Sequence, residues 1–223
     1  DIHAIVRKQG LLEKDAIIVS ALVDMYFKCG EVEKAQEVFE KLHVPDVASW
    51  NTLITGYTKT GLGDEALRCF KKMRDVGFSP NVVTYIGVLK ACAMVGSLEI
   101  GQHVEDDVRK RGLLQTHISL GNTLLGMYCS CCLMDKAREV FDQLPMPNVM
   151  SWNTMIAGYV QTGLGDEALQ CVREMQDVGV SPDAATYVSA LKACGIVGSL
   201  DIGQDIDAKI RKLGLLREDV VMS

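Results

Sequence analysis

The sequence is short of proline, aromatic residues and long apolar runs. It has 5 prolines and 6% aromatic residues in 223 positions, which is poor material for a β-sandwich or a Pro-rich linker. No apolar stretch approaches the roughly 18–20 residues that cross a bilayer, so no membrane role is expected. The first residues, Asp1-Ile2-His3, lack a signal-peptide layout. Positive charge is also in deficit, with 23 Lys and Arg against 29 Asp and Glu. Taken alone, that opposes a nucleic-acid partner, because neutralising phosphates takes cations. The eight cysteines are irregularly spaced and sit mostly inside apolar helical patterns. They suit a reducing compartment and do not read as a secreted disulfide framework. The hydrophobic content of 48% is ample for burial.

What the sequence has is repetition. SWNTLITGYTKTGLGDEAL (49–67) returns as SWNTMIAGYVQTGLGDEAL (151–169), and TYIGVLKACAMVGSLEIGQ (84–102) as TYVSALKACGIVGSLDIGQ (186–204). VDMYFKCGEVEKAQEVFEKL (23–42) returns as LGMYCSCCLMDKAREVFDQL (125–144), and all three offsets are 102 residues. Each such copy divides into three segments, 16–46, 47–81 and 82–117, then 118–148, 149–183 and 184–219, with lengths of 31, 35 and 36 residues. Each segment reads as two helices. In 47–81 the first is predicted over about 48–59, ended by Thr60-Gly61. The second opens at Gly63-Asp64 with Asp64 as N-cap and Ala66, Phe70 and Met73 on its inner face. Gly77 and Pro80 stop it. No segment alternates with period 2, so no strand is required. One such pair cannot bury its apolar faces alone, but stacked pairs can. The expected fold is therefore all-α, a solenoid superhelix whose first helices line an extended groove.

The segment lengths and residues resemble the PLS class of pentatricopeptide repeat proteins. The stretch 47–73 is similar to the P-type motif, 89–102 to the L-type and 21–42 to the S-type. Tetratricopeptide repeats, the nearest rival, keep a uniform period of about 34 residues. The resemblance implies a right-handed α-solenoid that binds single-stranded RNA in the chloroplast or mitochondrion, typically to select sites for C-to-U editing. It implies no enzymatic activity and no cofactor for the repeats themselves. In the family each repeat reads about one base through its fifth and last residues. Carried over, the pairs are Ser20 with Asp46 (G), Asn51 with Asn81 (pyrimidine), Asn122 with Asn148 (pyrimidine) and Asn153 with Asp183 (U). The L-type pairs, Ile86 with His117 and Val188 with Asp219, have an aliphatic fifth residue that cannot donate to a base. The implied register is G-Y-n-Y-U-n, 5′ to 3′. Ile17, Val83 and Met150 hold the second position, where an apolar side chain packs on a base face. Ala48, Ser119 and Ala185 offer less surface there. Two short polar side chains per unstacked base are a sound reader. The plainer alternative is that Asn51 and Asn153 are first-turn residues, and Asp46 and Asp183 helix caps.

The charge deficit need not reach the groove. The first helices carry Lys28, Lys59, Lys90 and Lys192 against Asp24. By resemblance, Lys28 and Lys59 at the thirteenth position meet phosphates. Ser130 and Gln161 take their places in the second copy, which should grip the backbone less firmly.

His103-Val-Glu105 followed by Cys129-Ser-Cys131-Cys132 superficially fits the H-x-E and P-C-x-x-C pattern of zinc deaminases. Residue 128 is Tyr rather than Pro, and the match of His103 in the second copy is Asp205. No metal site is therefore expected. Cys131 matches Cys29, Cys194 matches Cys92 and Cys171 matches Cys69, and all read as packing residues. Asp1–Lys14 matches Asp205–Glu218, so residues 1–15 read as the tail of an L-type repeat and 220–223 as the start of a further S-type repeat. A longer array is expected. The alternatives are a protein-binding helical scaffold, RNA stabilisation or splicing through the same groove, and small editing cofactor proteins held on L-type repeats.

Overall fold

A computed structural model describes residues 15–212. The L-type tail read in 1–15, apart from Asp15, and everything after Lys212, including Asp219, lie outside the described residues. Among the described residues there are twelve α-helices and no strand. They are α1 (Ala16–Lys28), α2 (Val32–Glu40), α3 (Val47–Lys59), α4 (Gly63–Asp75), α5 (Val82–Val95) and α6 (Leu98–Lys110), then, after a 3₁₀ turn at Leu113–Gln115, α7 (Ile118–Ser130), α8 (Met134–Asp142), α9 (Val149–Gln161), α10 (Gly165–Asp177), α11 (Ala184–Val197) and α12 (Leu200–Lys212). The chain divides into two compact units, 1–127 and 128–223, with the division inside α7.

In the first unit α1 packs on α2 and α3, α3 on α4 and α5, and α5 on α4 and α6. Here α1 and α3 each touch their own partner and the next first helix, the stacking of an α-solenoid. The second unit repeats the scheme, with α9 on α8, α10 and α11, and α11 on α10 and α12. Local chemistry sets the starts of the first helices. Asp15 caps α1 by accepting from the Ile17 and Ile18 amides at 3.0 and 3.1 Å. Asp46, Asn81, Asn148 and Asp183 cap α3, α5, α9 and α11, each in a reciprocal capping box with the Ser or Thr three residues on.

The second helices begin differently. The expectation that Asp64 caps α4 is corrected: the helix starts at Gly63, the flanking residue is Leu62, and no side chain caps it. The cause is packing. A Cβ at Gly63 would lie 2.6 Å from Val95 Cγ1, so this turn is pressed onto α5. Asp64 and Glu65 instead fall in the first turn, where the amide ends of the helix favour negative charge.

The core is made of matched residues. Trp50 meets Phe39 edge-on at 4.8 Å, and Trp152 meets Phe141 at 4.6 Å. Both indole Nε1 groups are buried without a hydrogen-bond acceptor. Cys69, Cys92, Cys171 and Cys194 are buried, as packing cysteines should be. Cys29 is exposed and Cys131 half-exposed, which corrects their reading as packing residues. They sit where first helices give way to turns.

Candidate nucleic-acid interface

The capping boxes place the last residue of one segment at the N-terminus of the next first helix. The fifth residue of each first helix lies one turn in, on the same side. In the first unit this brings Ser20, Asp24, Asp46, Ala48, Asn51, Asn81 and Val83 around one open groove of ≈ 900 Å³.

The pairs Asn51/Asn81 and Asn153/Asp183 are joined directly. Asn51 Nδ2 donates to Asn81 Oδ1 at 3.1 Å, and Asn153 Nδ2 donates to Asp183 Oδ1 at 3.0 Å. A third residue closes each cluster. The Thr84 hydroxyl donates to Asn51 Oδ1 at 2.6 Å, and the Thr186 hydroxyl to Asn153 Oδ1 at 2.6 Å. The backbone amides of Thr84 and Thr186 also donate to Asn81 Oδ1 and Asp183 Oδ1, at 3.1 and 2.9 Å. The amide orientations follow from valence. A carboxylate only accepts, so Asn153 must turn Nδ2 toward Asp183 and Oδ1 toward the hydroxyl. Asn81 Oδ1 already takes the Thr84 N–H, so Asn51 must do the same.

The two clusters then differ at the solvent edge. Asn81 and Asp183 are exposed, whereas Asn51 is only 7% exposed. With Oδ1 occupied, Asn81 has both Nδ2–H donors left to offer. Asp183 has Oδ2 left, a pure acceptor. Its carboxyl is held below the usual value by the Thr186 backbone N–H first, and by bonds from Asn153 and Thr186 side chains. It presents charge at neutral pH.

The pair Ser20 and Asp46 is arranged otherwise. Asp46 Oδ1 takes the Ser49 hydroxyl at 2.6 Å and the Ser49 amide at 2.8 Å. These bonds, the hydroxyl's first, keep its carboxyl below the usual value. Both residues line the groove, Ser20 half-buried and Asp46 exposed. Asn122 is buried in the first unit; Asn148 is exposed and caps α9 in the second. His117 is exposed, and Asp219 lies outside the described residues.

All six second-position residues are exposed, and three of them are large and apolar: Ile17 at 81%, Val83 at 53% and Met150 at 64%. Burial would have favoured the reverse, so these side chains are available to a flat apolar ligand surface. Lys59 is exposed beside Lys90 along the Thr55, Val83 and Ile86 face. Lys28 is exposed too, but its Nζ lies 2.6 Å from Asp24. Sequence reasoning had missed that pair, although the i,i+4 spacing signals it. It had also missed Thr84 and Thr186. Their signal was an Asn or Asp followed three residues later by a hydroxyl, the spacing of a capping box.

His103 lines a cleft of ≈ 380 Å³ between α4 and α6, with Lys71, Arg74 and Asp107 around it. Cys129 is buried in the second unit, and burial pushes its thiol up to about 12. Among the described residues no three His, Cys, Asp or Glu side chains converge as metal ligands. No helix among them is long and apolar enough to cross a membrane.

Three family models match the chain. The PPR repeat family matches residues 45–94 and 147–195, the pentatricopeptide repeat domain 75–130, and the PPR repeat 17–44 and 122–146. A pentatricopeptide repeat-containing protein of Arabidopsis thaliana named as chloroplastic is 42% identical over 85% of this chain and 26% of its own length. Another from the same plant, named as mitochondrial, is 35% identical over 98% of this chain and 31% of its own length. The chain thus spans about a quarter to a third of the curated relatives it matches. Among solved structures, the pentatricopeptide repeat protein PPR10 in complex with an 18-nucleotide psaJ RNA element has a TM-score of 0.72 at 20% identity, covering 94% of this chain and 32% of that one. At that identity the likeness is one of fold. The matches to the repeat run almost without a break from residue 17 to residue 195 and coincide with stacked helix pairs, and the chain belongs to the pentatricopeptide repeat family.

Proposed function

We propose that this chain is a base-reading module for single-stranded RNA, of the PLS class, which selects sites in chloroplast or mitochondrial transcripts for C-to-U editing. The observation that carries the reading is the pair of clusters at Asn51/Asn81 and Asn153/Asp183. Each leaves one defined polar edge at the solvent surface, and exposed apolar side chains stand at the second positions nearby. The Asn81 donors suit an acceptor on a pyrimidine edge. The Asp183 acceptor suits the N3–H of uracil, a position at which unprotonated cytosine is an acceptor and has its donor on the N4 amino group instead. Ser20/Asp46 and Asn122/Asn148 complete the register G-Y-n-Y-U-n, the two L-type positions being indifferent. Ile17, Val83 and Met150 pack on base faces, a contact worth roughly 1–3 kcal/mol per base for good stacking partners. The organellar names of the relatives and the RNA-bound state of PPR10 support the partner and the compartment.

Affinity comes from few cations. Lys59 meets phosphate directly, whereas at Lys28 a phosphate must displace Asp24, an exposed pair of at most about 1 kcal/mol. A second reading has its own observation. The L-type first helices α5 and α11 are apolar on nearly every side and leave Met94 and Ile196 45% and 44% exposed. That supports a small editing cofactor protein on these repeats. RNA stabilisation and splicing would use the same groove and differ only in the step after binding.

The test is binding of a short RNA carrying the register against a scrambled one at fixed salt. Preference for the register is expected, and Asn153→Ala with Asp183→Ala should abolish it at the fifth base. Unchanged selectivity in that double variant would sink the base-reading assignment. Lys59→Gln should flatten the dependence of log affinity on log salt by about 0.7, one phosphate's share on a single strand.

A further inference from the structure

We infer that Thr84 and Thr186 are positioning residues for base recognition, a third member of the reading station that acts through the fifth residue. The inference rests on the base-reading function proposed above and deepens it. One hydrogen bond leaves a planar amide free to turn about that bond, whereas two fix its plane. Asn51 is held at both ends, by Thr84 at 2.6 Å on Oδ1 and by Asn81 at 3.1 Å on Nδ2. Asn153 is held in the same way by Thr186 at 2.6 Å and Asp183 at 3.0 Å. Thr84 and Thr186 are each 0% exposed, so water does not compete for their hydroxyl protons. Each hydroxyl has a single proton to give. Its shorter contact is to the fifth residue, at 2.6 Å against 3.1 Å to Asn81 Oδ1 and 3.0 Å to Asp183 Oδ1, while the same oxygen accepts from the Asn81 or Asp183 backbone N–H at 3.1 Å. The threonine thereby couples the cap of one helix to the amide of the preceding first helix, and the remaining Nδ2–H of that amide points in one fixed direction.

The S-type station at Ser20/Asp46 shows that the lock is not a by-product of capping. Its matched hydroxyl, on Ser49, has the same box but donates to Asp46 Oδ1 at 2.6 Å. There the cap residue is held and the fifth residue is not. The third residue therefore holds the fifth at Asn51 and Asn153, whereas at the first of the three capped stations Ser49 holds Asp46 instead.

The experiment measures binding of RNAs that vary only the second or only the fifth base of the register, at one salt concentration. Thr186→Val removes the hydroxyl at nearly constant volume. It is expected to reduce discrimination at the fifth base about tenfold and to leave discrimination at the second base as in the wild type. Thr84→Val should do the converse, and Thr186→Ser and Thr84→Ser should restore the wild-type pattern. If a valine variant does not fold, the smaller Thr186→Ala and Thr84→Ala replace it. A loss of thermal stability with base discrimination intact, or a loss spread evenly over both positions, would overturn the inference while leaving the base-reading proposal standing. A wild-type protein without base preference at either position would remove both.

Discussion

At one station Asn51 donates to an amide; at another, 102 residues later, Asn153 donates to a carboxylate. The two stations share the capping box, the threonine hydrogen bond to the fifth residue and the buried tryptophan. The two copies therefore agree where residues hold the frame and differ where residues face solvent or a turn. Lys59 becomes Gln161, Asp24 with Lys28 becomes Gly126 with Ser130, and Gly30 becomes Cys132. Core positions change size but stay apolar, as when Phe27 becomes Cys129 and Phe70 becomes Val172. Duplicated repeats thus separate the scaffold from the readable surface without any alignment of relatives.

The contact between consecutive first helices is where the copies should differ most under mutation. A Cβ at Gly56 would lie 2.1 Å from the Phe27 ring, whereas one at the matched Gly158 would lie 2.7 Å from Cys129 Sγ. A buried ring cannot retreat as readily as a single sulfur. Gly56→Ala should lower stability by about 2 kcal/mol, the upper overpacking range less the helix propensity that alanine adds. Gly158→Ala should lower it by less than about 1 kcal/mol. Urea unfolding of both variants measures the difference, and equal losses would show that the aromatic contact is not what sets the spacing.

How much of this was legible in the sequence depends on the range of the interaction. The limits of α3, Val47–Lys59, lie within a residue of the expected helix, because its cap and its stop are both local. The alternative reading of Asp46 and Asp183 as caps was visible too. The structure shows them as caps and, for Asp183, as partner of the fifth residue at once. Asp64 was misplaced because a contact with α5, far along the chain, sets where α4 begins. Cys29 and Cys131 were misplaced because repeat matching shows equivalence and not burial. The threonine lock crosses 33 residues from Thr84 to Asn51. No local pattern predicts which of two acceptors a hydroxyl will choose.

The turn after the first helix gives a smaller contrast. Gly30 adopts φ 77°, and Cys132 adopts φ 57° at the matched position of the second copy. A side chain in the left-handed region costs about 1–2 kcal/mol, and glycine gives part of that back through a freer unfolded chain. Cys132→Gly should therefore raise stability by about 0.5–1 kcal/mol, and Gly30→Cys should lower it by a similar amount. Thermal unfolding of the two variants side by side measures this. A Cys132→Gly variant no more stable than the wild type would mean that the thiol makes a compensating contact.

The smallest difference is one of pH. Asp183 has its folded pKa depressed below 3.8, chiefly by the Thr186 backbone N–H, while Asn81 at the matched cap does not titrate. A depressed carboxylate contributes stability in full above its unfolded pKa and loses it as pH falls through its folded pKa. Asp183→Asn should therefore be less stable than the wild type at neutral pH, and the gap should close as pH falls below about 3.8. Asp46 is depressed as well, by the Ser49 hydroxyl first, but it is present in both proteins and drops out of their difference. Asn81→Asp should acquire the same acid dependence, because Thr84 offers its cap the backbone N–H that Thr186 offers Asp183. Unfolding midpoints from about pH 7 to about pH 2 measure both gaps. A gap that stays constant through that range would mean that the Asp183 carboxylate accepts these bonds no better than an amide oxygen does, and the two stations would then be alike in energy as well as in frame.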